Sequence, residues 1–477
     1  MSMLSRRVFI SGSLAACGGL VLPAVASSGR RLRFGVLTDI HIHKGHKPCE
    51  EVLEKELRWL DEQRVEAVVF PGDLTDGGLV EELERFAAVW EKVFPNFTAA
   101  DGRRVERVLV SGNHDLFTDE VREAWTRVLG EKWELVWKRE VKGVTFVGAQ
   151  HASTRPPVED FFKAHAAEFD PARPFVYVQH PHPKDTCHGE FAVDARAVDS
   201  GFSTRALSAF PNAIALSGHS HLPLTDERMV WQGAFTSIGC GCAGVIPPTG
   251  LGWNRANAGM PSVKNKARLQ PPALMYGSAE PFAKPGDLKI PRETVPTMQD
   301  GRAGLVIDLY DDRLVLHRRS FFFDEPIGED WTVPLPASVG GPFDFTVRAA
   351  KRLAPQFAAD AEVKVESFAK APEEAGDDYR GKKPCIRVSY PCANAEEDGR
   401  VFDYTVTAIA NGKRLFAREL IARDFHLPKR RAGLGGYCLL EPESVPMGQK
   451  VVFEVVPRDE FGTVGRAIRS KPFERGN

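Results

Sequence analysis

Five clusters of polar residues, each placed directly after a short apolar run, constrain the fold of this chain more than any other feature. In chain order they are Asp39-Ile40-His41, Gly72-Asp73-Leu74-Thr75-Asp76, Gly112-Asn113-His114-Asp115, Gln179-His180-Pro181-His182 and Gly218-His219-Ser220-His221. The apolar runs predict buried β-strands. Ligands of α/β folds bind outside the carboxyl ends of such strands. The order of the clusters therefore predicts one ligand site built from five loops at the rim of a sheet.

Amphipathic segments alternate with the apolar runs. Residues 50–63 and 79–93 have apolar side chains at helical spacing, and a third helix is predicted near 118–129. The predicted strands are residues 32–37, 67–70, 107–110, 143–149, 174–179 and 213–217. This alternation predicts a layered α/β domain in which helices cover a largely buried sheet.

The first 26 residues predict a targeting segment, which we leave out of the fold. Ser5-Arg6-Arg7-Val8-Phe9-Ile10 is a twin-arginine pattern, and an apolar stretch and the small residues Ala24-Val25-Ala26 follow it. A buried N-terminal helix and lipid attachment at Cys17 are the alternatives. We expect the twin-arginine machinery to export the protein to the periplasm or the extracellular space, with no membrane-spanning segment in the mature chain.

Charge and cysteine content narrow the function classes. The formal net charge is −2 over 477 residues, without the basic excess that neutralises a nucleic-acid backbone. Loss of the targeting segment would leave seven of the eight cysteines. An odd number argues against a complete disulfide framework but allows one or two bridges. The candidate pairs are Cys385 with Cys392 and Cys49 with Cys187.

The chain changes character after the fifth polar cluster. Strands are predicted within residues 228–239 and 304–322, and the segment 243–300 between them is rich in Pro and Gly with weak periodicity. Short strands from residue 343 onward, with a hairpin turn at Asn411-Gly412, predict a small all-β sandwich that resembles a fibronectin type III-like module. The expected units are a signal peptide (1–26), an α/β domain (27–340) and the β-sandwich (343–477).

The polar clusters contain the ligands that a pair of metal ions beside a phosphate requires. Such a site needs imidazoles, hard oxygen donors and at least one carboxylate shared between the ions. Asp39 and His41 lie two residues apart, as do His219 and His221, so an extended segment would place each of these pairs on one side. Each cluster alone is weak evidence for metal binding. Eleven of the thirteen histidines, however, precede residue 222.

The ordered set of clusters resembles the calcineurin-like metallophosphoesterases. That family has Asp-x-His, Gly-Asp-x-x-Asp, Gly-Asn-His-Asp/Glu, a histidine after a later strand and Gly-His-x-His, and all five elements occur here between residues 39 and 221. The resemblance implies a layered β-sandwich flanked by helices. It also implies two metal ions (iron, manganese or zinc) and hydrolysis of a phosphomonoester or phosphodiester by a metal-activated hydroxide.

The resemblance also implies a role for each motif residue. Seven residues would hold the ions: Asp39, His41 and His221 the first, Asn113, His180 and His219 the second, and Asp73 both. His114 would protonate the leaving-group oxygen as a general acid, and Asp76 would orient His114 through a hydrogen bond.

Several histidines leave the assignment open. His182 lies two residues after His180 and is the alternative ligand, although His180 directly follows the strand Phe175-Val176-Tyr177-Val178 as the family's ligand does. Four histidines outside the motifs are expected to line the site or face solvent; they are His43, His46, His151 and His188.

Two departures separate the chain from better-known branches of the family. Gly77 stands where the protein Ser/Thr phosphatases carry an arginine, and Leu74-Thr75-Asp76 lacks the tyrosine of the purple acid phosphatases. The chain instead resembles secreted bacterial metallophosphoesterases with an appended β-domain. A catalytically idle surface binding module and a nuclease are the alternative functions. The complete ligand set argues against the first, and the near-neutral charge argues against the second.

Overall fold

The computed structural model describes residues 29–45, 48–116, 119–152, 155–187, 198–244, 302–321, 323–370, 384–393, 401–422, 425, 428 and 435–476. The predicted signal peptide and all but the first two residues of the Pro- and Gly-rich segment lie outside these residues. So do His46 and His188. Among the described residues, no helix is both long enough and apolar enough to cross a membrane.

Two sheets form the first part of the chain. The strands of the first sheet are β1 (Leu32–Val36), β2 (Ala67–Pro71), β3 (Glu106–Val110), β10 (Ala303–Leu309), β11 (Arg313–Ser320), β12 (Glu325–Pro326) and β13 (Trp331–Pro334). Those of the second are β4 (Val136–Val141), β5 (Val144–Ala149), β6 (Phe175–Val178), β7 (Ala213–Ser217), β8 (Val230–Gln232) and β9 (Thr236–Gly239). The strand orders are β12-β11-β10-β1-β2-β3, with β13 beside β11, and β4-β5-β6-β7-β9-β8. Both sheets are mixed, because β1-β2-β3 and β5-β6-β7-β9 are parallel and the outer strands are antiparallel.

The two sheets face each other, and helices cover their outer faces. Successive residues of β2 pack on opposite faces of the sheet. Val69 packs between the two sheets, whereas Val68 and Phe70 pack against helices. Phe34 and Phe146, one from each sheet, meet with ring centroids 6.0 Å apart. The helices are α1 (Pro48–Glu62), α2 (Val80–Val93) and α3 (Asp119–Leu129) over the first sheet, and α4 (Val158–His165) and α5 (Phe202–Leu207) over the second. The predicted layered α/β architecture is confirmed.

The C-terminal part begins with a short helix, α6 (Phe345–Lys351), and continues as two antiparallel sheets. The strands are β14 (Lys364–Phe368), β15 (Cys385–Tyr390), β16 (Val401–Ala410), β17 (Lys413–Ile421), β18 (Gly436–Leu440), β19 (Lys450–Asp459), β20 (Ile468–Arg469) and β21 (Phe473–Glu474). The orders are β14-β15-β18 and β17-β16-β19-β20, with β21 beside β19. The hairpin predicted at Asn411-Gly412 joins β16 to β17, and both turn residues have positive φ, 51° and 72°. The additional all-β sheets are confirmed.

None of the seven described cysteines, from Cys49 onward, forms a disulfide bond. Neither candidate pair therefore forms a bridge. Cys49 lies in the first turn of α1 and packs in the core, whereas Cys187 contacts the hydroxyl of Ser237 at 3.2 Å. Cys385 belongs to a small apolar cluster, and Cys392 lies beside the Tyr404 hydroxyl at 3.6 Å.

A buried group of charges joins the C-terminal part to the segment that follows the fifth polar cluster. The guanidinium groups of Arg348 and Arg352 both pair with the carboxylate of Glu227, and Arg352 also pairs with Glu460 at 3.3 Å. Nearby, the guanidinium of Arg228 lies 4.6 Å from the ring centroid of Phe402 in β16. The arginine side chains that bind Glu227 are only 11% exposed. Each buried charge is therefore stabilised mainly by its ion-pair partners and not by water.

Replacing Glu227 should therefore destabilise the protein more than replacing an exposed glutamate. Glu227→Ala leaves two buried guanidinium groups without their shared carboxylate, and we expect it to lower the free energy of unfolding by about 3 kcal/mol. The matched control is Glu366→Ala, which removes a 48% exposed partner of Arg387 and should cost less than about 1 kcal/mol. Urea denaturation measures both values. Equal effects would show that the buried charges do not hold the two parts together.

Candidate metal centre

The loops after β1, β2, β3, β6 and β7 meet at one edge of the two facing sheets. Backbone hydrogen bonds join neighbouring loops: the amide of Ile40 donates to the carbonyl of Asp73 at 2.8 Å, and the amide of Gly218 donates to the carbonyl of His180 at 2.9 Å. All five polar clusters belong to these loops, so the carboxyl ends of parallel strands bring them together, as the sequence predicted.

A first group of side chains contains Asp39, His41, Asp73 and His221. One potential ligand atom from each lies within 4.8 Å of the others, and all four residues are buried. His221 Nε2 is 2.9 Å from an Asp39 carboxylate oxygen and 3.2 Å from His41 Nε2. His41 Nε2 is also 3.6 Å from an oxygen of Asp73. These atoms surround a space that a metal ion fits.

A second group contains Asp73, His180 and His219, again with ligand atoms within 4.8 Å of one another. His180 Nε2 is 3.2 Å from Asp73 Oδ2, 3.1 Å from His219 Nδ1 and 3.0 Å from the amide oxygen of Asn113. The structure thus brings together all seven residues that the resemblance implied as ligands. It divides them into two groups that share Asp73.

Five of these seven residues have a left-handed backbone. Their φ angles lie between 51° and 69°, and they are Asp39, His41, Asp73, His219 and His221. This conformation costs an L-residue about 1–2 kcal/mol. It persists only where the surrounding structure enforces it, and it clusters at functional sites. The site is therefore held together by the fold and not by the local preferences of these residues.

Two glycines are required by the closeness of the loops. A Cβ atom on Gly112 would lie 2.0 Å from Asp73 Oδ1 and 2.4 Å from the Asp73 backbone nitrogen. A Cβ atom on Gly218 would lie 2.4 Å from Asp39 Oδ2. Glycine at these positions lets the backbone approach the buried carboxylates closely.

The electrostatics of the site favour bound cations. Asp39 and Asp73 are buried, and within the described residues their ion pairs are all with histidines. Burial opposes ionisation of Asp39, but the adjacent His221 outweighs it and lowers the pKa of Asp39 to about 2. Burial likewise opposes protonation of His180, yet the Asp73 carboxylate outweighs it and raises the pKa of His180 to about 9.

These pKa shifts indicate that protonated histidines can supply the positive charge that bound cations would otherwise provide. A buried carboxylate is stable only beside a positive charge or strong hydrogen-bond donors. Metal ligation requires a neutral imidazole, so a metal ion would displace the proton of His180 and supply the charge itself. Imidazole nitrogens with carboxylate and amide oxygens form a donor set that suits iron, manganese or zinc. The residues present fit two such ions.

His114 lies at the edge of this site with its ring 13% exposed. Its backbone amide donates to Asp73 Oδ1 at 2.8 Å, and its Nδ1 is 2.7 Å from the backbone carbonyl of Asp76. A carbonyl only accepts, so Nδ1 carries the proton and Nε2 is the atom available to a substrate.

The contact between Asp76 and His114 differs from the expected one. The Asp76 carboxylate lies 3.9 Å from His114 Nδ1 but 3.2 Å from Nδ1 of His41. The main chain of Asp76 therefore orients His114, while its carboxylate holds the ring of His41.

The other histidines near the site lie outside the two ligand groups and have different neighbours. His182 lies outside both ligand groups, and its ring nitrogens contact the hydroxyls of Ser217 and Ser220, so the geometry favours His180 as the ligand. His151 places its ring next to His180 with centroids 6.2 Å apart. His43 is 36% exposed and lies 3.9 Å from the Asp76 carboxylate.

Sequence reasoning assigned no role to Asp115, the last residue of its cluster. Its carboxylate accepts hydrogen bonds from the amide of Thr75 at 2.8 Å, from the Thr75 hydroxyl at 2.9 Å and from the amide of Gly112 at 2.8 Å. Asp115 thus ties the loop after β3 to the loop after β2. The sequence signal for this role was a charged residue directly after Gly-Asn-His.

Fold and site together define a metal-dependent phosphoesterase. Residues 32–223 match the family model of the calcineurin-like phosphoesterases. The chain therefore contains a calcineurin-like metallophosphoesterase domain and is a phosphoesterase enzyme. A search of curated protein sequences finds no match to the chain.

Several solved structures are similar to the chain. A dimetal phosphatase from Danio rerio is 11% identical, with 64% of this chain and 99% of that chain covered and a TM-score of 0.39. A purple acid phosphatase from yellow lupin (Lupinus luteus) seeds is 12% identical, with coverages of 64% and 53% and a TM-score of 0.38. The phosphopantetheinyl hydrolase of Mycobacterium tuberculosis is 14% identical, with coverages of 46% and 92% and a TM-score of 0.27.

Proposed function

We propose that the chain hydrolyses a phosphomonoester or phosphodiester at a centre of two metal ions. The observation that supports this proposal is that the buried carboxylate of Asp73 belongs to both ligand groups. A shared carboxylate between two sets of nitrogen and oxygen donors is the arrangement that a dinuclear centre requires. The ligands of the first ion are Asp39, His41, Asp73 and His221; those of the second are Asp73, Asn113, His180 and His219.

When bound, two such ions would orient the phosphoryl group, activate a water for in-line attack and stabilise the developing charge. The chain's own residues prepare this chemistry. His180 Nδ1 lies 2.8 Å from the carbonyl of Pro71, so the ring donates there and turns Nε2 toward Asp73. The Asp76 carboxylate lies 3.2 Å from His41 Nδ1, and His41 Nε2 faces His221 and Asp73. Such outer contacts fix the tautomer and the orientation of metal-ligating histidines.

His114 is the general acid in this proposal. Its Nδ1 is engaged by the carbonyl of Asp76, and its amide is engaged by Asp73. The protonated ring can therefore release a proton only from Nε2, toward a leaving-group oxygen beside Asp73. A positioned acid of this kind accelerates the reaction by about 10²–10⁴-fold.

Replacing Asp73 tests the dinuclear mechanism. Asp73→Asn keeps the shape of the side chain but removes the charge that both ions share, so we expect hydrolysis of a chromogenic phosphate ester with added manganese to be abolished. The control is Asp119→Asn at the start of α3, where the side chain is 86% exposed and activity should match the wild type. Full activity of Asp73→Asn would contradict the mechanism. Cleavage of DNA that falls steeply with salt would instead assign the substrate to nucleic acids.

We also propose that the enzyme acts outside the cytoplasm. The support is the twin-arginine pattern at Arg6-Arg7 followed by an apolar stretch and Ala24-Val25-Ala26. This route exports folded proteins, which suits a site that must load the correct metal before export. In a bacterium with a twin-arginine system, mass spectrometry of the exported protein should find Ser27 at its N-terminus, and Arg6→Lys with Arg7→Lys should keep the protein inside. A lipid-modified Cys17 or an intact N-terminus would contradict cleavage after Ala26.

We further propose that residues 27–340 form the catalytic domain and residues 343–477 a fibronectin type III-like module that stabilises it. The support is that the C-terminal part consists of two antiparallel sheets and pairs through Arg348 and Arg352 with Glu227. The stability loss expected for Glu227→Ala tests the stabilising role.

A further inference from the structure

A buried network lies directly behind the two ligand groups. The ring of His182 is fully buried, with Nδ1 2.7 Å from the hydroxyl of Ser217 and Nε2 2.7 Å from the hydroxyl of Ser220. We refer to His182, Ser217 and Ser220 as the clamp. Neither serine has a role in the ligand groups, and His182 lies outside both of them.

The clamp connects two of the loops that form the metal centre. His182 lies two residues after His180, on the loop that follows β6. Ser217 is the last residue of β7, and Ser220 lies between His219 and His221. The ring of His182 therefore fixes the position of one ligand loop relative to the other.

Contacts on several sides hold the His182 ring in place. Its backbone carbonyl accepts from the amide of Asp199 at 2.9 Å, and His182 pairs with Val198 in a short β-bridge. On the other side, a Cβ atom on Gly239 would lie 3.1 Å from the ring carbon Cε1. Since both ends of the ring are also hydrogen bonded, the ring is a rigid support for Ser220.

A hydroxyl group can both donate and accept a hydrogen bond, so each serine can pair with the ring nitrogen that faces it. Both hydroxyls have a further partner that suits this arrangement: the Ser217 hydroxyl is 3.4 Å from the carbonyl of Ile238, and the amide of Leu222 donates to the Ser220 oxygen at 3.4 Å.

Ser220 is the residue at which such support is needed. The residues on both sides, His219 and His221, have positive φ angles of 69° and 53°. A non-glycine backbone keeps this conformation only where neighbouring contacts enforce it. Ser220 lies between these two ligands in sequence, and its hydroxyl contacts His182.

We propose that His182 is a positioning residue of the metal centre, which acts through Ser220 to hold His219 and His221 in the conformation that binds metal. The inference rests on the proposed function, because it takes His219 and His221 as ligands of the two ions. It adds a residue that touches neither ion nor substrate but sets the affinity for both ions.

The test is the affinity of the purified full-length protein for manganese, measured against a competing chelator. Ser220→Ala removes the hydroxyl that binds His182, and we expect the dissociation constant to rise about 10–100-fold, as for other residues that orient metal ligands. Ser220→Thr keeps the hydroxyl and should restore binding close to that of the wild type. The matched control is Ser237→Ala, a buried serine whose hydroxyl contacts Thr186 at 3.0 Å and Cys187 at 3.2 Å; it should bind manganese as the wild type does.

Thermal unfolding of the metal-free variants separates positioning from folding. We expect Ser220→Ala and Ser237→Ala to unfold at similar temperatures while differing in metal affinity. If Ser220→Ala does not fold, Ser220→Cys takes its place, because it keeps the side-chain volume but forms only weak hydrogen bonds, and the same rise is expected. A Ser220→Ala or Ser220→Cys variant that folds and binds manganese as tightly as the wild type would overturn the proposal.

The outcomes also distinguish this proposal from the proposed function. A wild-type protein that binds manganese but cleaves no phosphate ester would contradict the function and leave the clamp in place. A wild-type protein that cleaves the ester, with Ser220→Ala unchanged in metal affinity, would contradict the clamp alone. A wild-type protein that binds no manganese or other divalent metal would overturn both.

Discussion

The architecture of the site depends on the buried carboxylate of Asp73. This side chain lies between the two groups of ligands, accepts the amide of His114 and touches the rings of His41 and His180. A carboxylate in such a place is costly without positive charge around it. The surrounding imidazoles and the glycine at position 112 accommodate that charge inside the protein.

The two facing sheets explain how this position can be maintained. β1, β2 and β3 belong to one sheet, β6 and β7 to the other, and their carboxyl ends open on the same edge. Each sheet supplies ligands to both groups: His41 from one sheet lies 3.2 Å from His221 of the other, and Asp73 lies 3.2 Å from His180. The packing of the sheets thus sets the separation between the ligands, and the apolar core between them indirectly determines the metal geometry.

Much of the fold and site could be predicted because the signals are local. Helical spacing predicted 50–63 where α1 is Pro48–Glu62, and five polar clusters after apolar runs predicted five converging loops. Other features depend on contacts between residues far apart in sequence. The left-handed φ of Asp39 or His221 follows from packing against other loops, and Asp76 uses its carbonyl for His114 because of how the loop turns. The pairing of Glu227 with Arg348 spans 121 residues, so no local pattern indicates it. Residues 228–239 were predicted as strands but not as the separate β8 and β9, and α6 was not predicted.

We propose that the Asp73 carboxylate binds both metal ions of the site. Anomalous diffraction from crystals of the manganese-loaded protein tests this proposal, because the scattering locates each ion without assumptions about its ligands. We expect two peaks about 3.5–4 Å apart, one beside Asp39, His41 and His221 and the other beside Asn113, His180 and His219, with Asp73 between them. A single peak, or two peaks that do not both contact Asp73, would contradict it.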